Sequence, residues 1–257
     1  MNISISDRAA LLSLIDRFAR QEIVVLGDLV ADEFIHGEIA RVSREAPVLI
    51  LRQREKHTLP GGAANAANNL ADLGAKIRLA GAVGEDGSGA ALLQYFNEKG
   101  ISTRGVKRVK HFVTPTKSRV LGGLGHGHLQ QIVRVDREPS RKLDRKVRAQ
   151  LHRYAAPWLS RASAVLISDY GYGAVDPQGA KSLQRLRPKL PVAVDSRHAI
   201  LRYNHVTAST PNEPEMEEAY GERVGNDLKA LHRMAEQALH RCSLKALLVT
   251  RGREGMV

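Results

Sequence analysis

Short apolar runs that stop at a glycine or an acid, separated by stretches of helical spacing, restrict this chain to an alternating α/β architecture. The first run, EIVVLGD (22–28), ends in Gly27 and Asp28, and SAVLISDYG (163–171) repeats the form with Asp169. Such runs are too short for helices and too uniformly apolar for half-exposed strands, so they read as parallel strands buried on both faces. A helix is predicted over 62–73, closed by Gly74, then a strand in KIRLAGAVG (76–84) and a helix over 86–100 closed by Gly100. The alternation resumes with a helix over 177–187, strands in PVAVDS (191–196) and VTASTPN (206–212), helices over 213–241, and a strand in KALLVTRG (245–252). The predicted fold class is therefore α/β, a mostly parallel sheet flanked by helices. Sheets of this class gather ligands at the carboxyl ends of their strands, where Asp28 falls.

Two stretches break the pattern. Residues 34–58 and 111–135 carry short β-like runs with no crossover helix, the second a hairpin around GGLGHGH. They are expected to form a small β lid inserted in one domain spanning 1–257, able to close over a ligand and expel water. His126 and His128 have chelating spacing, but no cysteine or carboxylate completes a metal site beside them, so a solvated hairpin tip is expected.

Composition narrows the partners. Net charge is +12, from 39 Lys and Arg against 27 Asp and Glu, which admits acidic small molecules, nucleic acid and anionic membranes alike. The densest basic run (137–153) carries Leu143, Val147 and Leu151 at helical spacing, so its charges read as the wet side of a surface helix. Aromatic residues make up 4% of the chain and no RNA-stacking motif occurs, so no nucleic-acid partner is expected. No run approaches membrane-spanning length, and no membrane partner is expected. The first twenty residues space Leu11, Leu14, Ile15 and Phe18 as an amphipathic helix rather than a secretory signal. Cys242 has no partner for a disulfide, which suits a reducing compartment, and the expected location is cytoplasmic.

Several residues could carry chemistry. Gly61 and Gly62 allow close backbone approach before a helix whose first turn holds Asn65, an amide able to donate and accept at once to sugar hydroxyls. The same pattern also describes a glycine turn with small residues for tight packing. Asn212 and Glu215 in TPNEPE share a helix face, where they could orient water around a magnesium–phosphate unit or simply form a capping box. Thr250 and Gly252 in VTRG offer a wall for nucleotide phosphates. Lys117 and Arg119 in TPTKSRV alternate onto one side of a strand, and facing inward they would attract a phosphorylated substrate. There is neither a GxxxxGK phosphate loop nor a serine nucleophile elbow.

Taken in order, VLGDLVADEFIHGEIARVSREAPV, PGGAANAANNLADLGA, TPTKSRV, QQIVRVDRE, ISDYGYG, TPNEPE and LLVTRGREGM resemble the ribokinase-like (PfkB) carbohydrate kinases, most of all the kinase domains of bacterial ADP-heptose synthases. The resemblance implies phosphorylation of heptose 7-phosphate at its anomeric hydroxyl with ATP and Mg2+. It places Asp28, Gly61, Gly62 and Asn65 on the sugar, Lys117 and Arg119 on its phosphate, and Asn212, Glu215, Thr250 and Gly252 on the nucleotide. Glu215 would meet the metal indirectly, through water, and Asn68 and Asn69 would be structural. It also implies a homodimer joined through the lid. The family's catalytic aspartate, in a glycine-rich turn, would be expected beyond Val257, so an incomplete and inactive form of the domain is the expectation. Another PfkB sugar or nucleoside kinase and a non-catalytic sugar-phosphate binder stay open as alternatives.

Overall fold

A computed structural model describes residues 8–123, 129–225 and 228–257. Seven strands form the main sheet: β1 (Glu22–Gly27), β4 (Lys76–Gly84), β5 (Gly105–Val109), β8 (Ala164–Asp169), β9 (Val192–Ser196), β10 (Ala208–Ser209) and β11 (Ala246–Leu247). Their order is β11-β10-β9-β8-β1-β4-β5, and every pairing is parallel. Chain order reverses direction at β1, which has β4 on one side and β8 on the other, so a crevice opens at its carboxyl end.

The uniform apolarity of β1 has a direct cause. Val24, Val25 and Leu26 are all fully buried, because both faces of the sheet are covered. On one face Val24, Leu26, Val165, Ile167 and Val194 pack with Leu151 of α4 (Arg145–Ala155) and Leu183 of α5 (Pro177–Leu186). On the other, Val25, Leu79 and Val83 meet Ala63 and Ala67 of α2 (Ala63–Asp72) and Leu92 and Phe96 of α3 (Gly87–Glu98). Aspartates cap three of these helices: Asp86, Asp144 and Asp176 accept the N–H groups of Gly89, Val147 and Gly179. α6 (Glu213–Tyr220) and α7 (Leu228–Cys242) cover the β10 end.

The lid is a separate sheet of four strands, β3-β2-β6-β7. Its strands β2 (Leu29–Val42), β3 (Leu49–Gly62), β6 (Thr116–Gly123) and β7 (Gln130–Arg137) reach further toward the main sheet than the sequence boundaries 34–58 and 111–135. β2 follows β1 with only Asp28 between them, so the lid rises directly from the crevice. Its base is pinned by buried Glu33, whose carboxylate accepts the Ser88 hydroxyl at 3.0 Å and the Ser118 hydroxyl at 2.8 Å and pairs with Lys56 at 3.0 Å. Burial alone would push this carboxyl up, but these partners hold it below the ordinary glutamate value.

Three local expectations are revised. β5 was not predicted, because VKRV is a half-exposed edge strand with no continuous apolar run. The strand expected over 245–252 shortens to Ala246–Leu247, with Thr250 making isolated bridges to Asn212 and Met256. The first helix, α1 (Arg8–Asp16), forms, but Leu14 and Ile15 of its expected apolar face are exposed rather than packed on the core. His126 and His128 lie outside the described residues.

Candidate active site

At the carboxyl edge of the sheet, Asp28 is 2% exposed and its carboxylate accepts three backbone hydrogen bonds. One oxygen accepts the N–H groups of Tyr170 at 2.9 Å and Tyr172 at 3.0 Å, and the other accepts that of Ala174 at 2.9 Å. Its own carbonyl accepts the N–H of Ala63 at the start of α2. These three bonds commit Asp28 to shaping the 170–174 loop, and the residue is nearly enclosed there, so this geometry lends the sugar role expected for it no direct support. Asp169 does similar work, accepting the N–H of Gly171, the Ser196 hydroxyl and the Tyr203 hydroxyl.

The acid that faces the lid interior is Asp32, four residues on. It is paired across the sheet with Lys117, and its Oδ1 accepts Arg119 Nη1 at 2.7 Å. Gly61 explains itself here, since a Cβ at that position would lie 2.6 Å from Asp32 Oδ2. Gly62 has a φ of +57°, and a Cβ there would lie 2.7 Å from the Asp28 carbonyl. The two glycines thus end strand β3 against β2 rather than forming a free turn. Gly61→Ala is expected to push Asp32 off its Arg119 contact and destabilise the fold by about 1–3 kcal/mol. Thermal unfolding of the variant checks this, and an unchanged midpoint would remove the steric account.

Beneath the lid lies a hollow of about 250 Å³ lined by Lys117, Arg134, Tyr170, Asp195, Arg197, Asn212 and Glu215. Lys117 and Arg134 come from β6 and β7 of the lid, Tyr170 and Asp195 from the ends of β8 and β9, and Asn212 and Glu215 from the start of α6. Lys117 Nζ stands 5.6 Å from the Tyr170 ring centroid. Burial and the Arg197 guanidinium push its ammonium below the ordinary lysine value. Arg134 is held by Asp136 at 2.9 Å, whereas Lys117 and Arg197 form no ion pair with a described residue. Both cations therefore stand in the hollow without a direct ion pair to a described residue, and share it with the carboxylates of Asp195 and Glu215.

Asn212 and Glu215 do form the capping box: Asn212 Oδ1 accepts the Glu215 N–H at 2.8 Å, and Glu215 Oε2 accepts the Asn212 N–H at 2.9 Å. The two readings of this pair are compatible. Capping consumes one oxygen of Glu215 and leaves Oε1 without a hydrogen bond to a described residue, while burial and nearby Asp195 raise its carboxyl. Asn212 also lines a second hollow, of about 770 Å³, with Thr250, Gly252, Glu213, Arg251 and Arg253. Asn212 is thus the wall shared by the two spaces.

Of the residues expected at the site, Lys117, Asn212 and Glu215 meet around the first hollow, and Thr250 and Gly252 join Asn212 around the second. Arg119 is tied to Asp32 instead. Asn65 lies in the first turn of α2, which has no side-chain cap, and its exposed amide makes no hydrogen bond to a described residue. Asn68, by contrast, accepts the Tyr95 hydroxyl at 2.9 Å, a structural role. Sequence reading passed over Asp32, Arg134, Tyr170, Asp195 and Arg197. Asp195 was open to discovery, because PVAVDS ends in an acid as the β1 and β8 runs do.

The chain is 35% identical over 257 residues to the bifunctional protein HldE of Pelobacter propionicus, covering 97% of this chain and 51% of that protein. It is 37% identical over 246 residues to HldE of Coxiella burnetii, covering 95% and 49%. The chain thus spans about half the length of the curated relatives it matches. Among solved structures, Arabidopsis thaliana ribokinase with ribose and ATP superposes with a TM-score of 0.64 at 18% identity, covering 92% of this chain and 73% of that one. Escherichia coli phosphofructokinase-2 superposes with a TM-score of 0.66 at 16% identity, covering 92% and 75%. Residues 20–257 match the pfkB family of carbohydrate kinases, and the chain belongs to that family.

Proposed function

We propose that this chain is the sugar-phosphate kinase part of an ADP-heptose-forming system, transferring the γ-phosphoryl of ATP to the anomeric hydroxyl of heptose 7-phosphate. The observation that carries the reading is the convergence of Lys117 and Arg197, neither in a direct ion pair with a described residue, on a hollow whose far wall, Asn212, also bounds the larger space. A phosphate on the sugar supplies the direct charge-assisted partner that both cations lack, and confinement strengthens the interaction. The HldE relatives, at 35% to 37% identity, support the choice of a heptose phosphate.

In this reading Asp32 takes the sugar-orienting role first sought at Asp28, accepting from a hydroxyl while Arg119 fixes its carboxylate. Asn65, with its amide unengaged, is placed to read a second hydroxyl beside the glycine pair. Thr250 and Gly252 line the side given to ATP. Glu215 fits the family's magnesium, because its half-buried Oε1 is left over from the capping box and can order a water of the metal's shell. The metal, when bound, neutralises phosphate charge. The lid closes the hollow and keeps water from the transferred group. A homodimer joined through the lid is proposed on the exposed apolar residues Ile132, Val133 and Val135 of β7.

Calorimetric titration tests the substrate. Heptose 7-phosphate is expected to bind at least about tenfold more tightly than the unphosphorylated heptose, and more tightly than ribose or fructose 6-phosphate. Equal affinity for phosphorylated and free heptose would overturn the assignment.

A further inference from the structure

Away from the hollow, the outer half of the lid brings three metal-ligating side chains onto one face of the β2–β3 ribbon. His36 is paired across the strands with Glu55, and Phe34 with His57. Residues two apart on a strand share a face, so His36, Glu55 and His57 converge. Glu55 Oε2 lies 2.9 Å from His57 Nε2 and 3.9 Å from His36 Nδ1. One donor atom from each of the three lies within 4.8 Å of the others. The rings meet edge to face, with centroids 5.6 Å apart and planes at 69°.

A register shift between His36 and Gly37 leaves Arg54 without a cross-strand partner beside the cluster. Such bulges re-aim neighbouring side chains. Arg54 pairs with Glu38, so its charge is already engaged and does not compete for Glu55. A hydrogen bond between His57 and Glu55 accounts for only part of the arrangement. His36 remains too far from Glu55 for a hydrogen bond, yet the three residues still bring one donor atom each within 4.8 Å of one another.

We propose that His36, Glu55 and His57 bind a zinc-class divalent ion, with water as the fourth ligand. Two imidazoles and one carboxylate are a donor set suited to zinc, whereas magnesium prefers an all-oxygen shell. Tetrahedral zinc ligation at about 2.0–2.2 Å sets donors roughly 3.3–3.6 Å apart, so the Glu55–His57 contact at 2.9 Å opens slightly and the Glu55–His36 separation of 3.9 Å closes. All three side chains are at least partly exposed and can make that adjustment by rotation. The ion would clamp the two longest lid strands together away from their pinned base. It is distinct from the magnesium chemistry proposed for Glu215.

The test is a titration of the chelator-stripped chain with Zn2+, and with Co2+ as a spectroscopic reporter. One equivalent is expected to bind with micromolar affinity, with the visible absorption of tetrahedral Co2+, and excess Mg2+ is not expected to displace it. His36→Ala/His57→Ala is expected to lose that equivalent, while His232→Ala, altered on the exposed face of α7, retains it. Glu55→Gln, a conservative surface change that keeps the ribbon intact, is expected to weaken binding at least about tenfold. Unchanged affinity and stoichiometry in Glu55→Gln or in the double variant would overturn the proposal, as would a wild-type chain that binds no equivalent.

Discussion

Replacing Asp28 with alanine is expected to destabilise the fold by about 3 kcal/mol, and to lower the unfolding midpoint by roughly 10 °C in a chain of this size. The effect comes from three N–H groups, of Tyr170, Tyr172 and Ala174, that lose their acceptor in a place where water cannot replace it. Asp28→Asn should fall between, since its amide oxygen can serve two of the donors while its NH2 confronts the third. Thermal unfolding measures both. An alanine variant as stable as the wild type would show that the 170–174 loop does not depend on this carboxylate.

The same residue gives the loss a pH dependence. Burial pushes the Asp28 carboxyl up to about 6, with the Asp169 charge adding to the rise, and the three N–H donors oppose it. The folded state therefore holds a proton that the unfolded chain releases nearer the ordinary aspartate range, so this group's contribution to stability grows as pH falls from 7 to 5. The alanine variant lacks that gain, and the gap between it and the wild type should widen by about 1 kcal/mol over the interval. A gap that narrows would mean that the ionised form is the preferred one in the fold.

Asp28 also shows where sequence reading succeeds and where it stops. Strand-end acids, apolar runs and glycine closures are local signals, which is why the succession of sheet strands and helices could be read from β1 to α7, apart from the half-exposed edge strand β5. The lid was legible as a departure from that rhythm. What could not be read was which of two acids four residues apart is held by the 170–174 loop and which meets Arg119. Asp28 and Asp32 both follow the β1 run, and the choice depends on the 170–174 loop folding back over one and Arg119 reaching the other. Those partners are more than eighty residues away in the chain. The capping box at Asn212 was visible for the opposite reason, because both of its partners lie within one helical turn. Arg134 and Arg197 escaped notice because nothing local distinguishes an arginine facing a hollow from one facing water.

Lys117→Ala is expected to weaken heptose 7-phosphate binding by about 10- to 100-fold, the loss of one charge-assisted phosphate contact in a confined site, and to leave the affinity for free heptose nearly unchanged. Arg197→Ala should behave alike, and in both variants binding should lose part of its salt dependence. A structural role would predict a lower unfolding midpoint as well. The opposite is expected of Lys117, because its ammonium is disfavoured where it stands, by burial first and then by Arg197. Removing it relieves that repulsion, so the ligand-free variant should unfold no earlier than the wild type. A lysine that weakens the fold while it strengthens phosphate binding is placed for the ligand, and calorimetry paired with thermal unfolding separates the two effects. If Lys117→Ala loses stability but keeps its preference for the phosphorylated sugar, the cations of this hollow serve the fold and not the substrate.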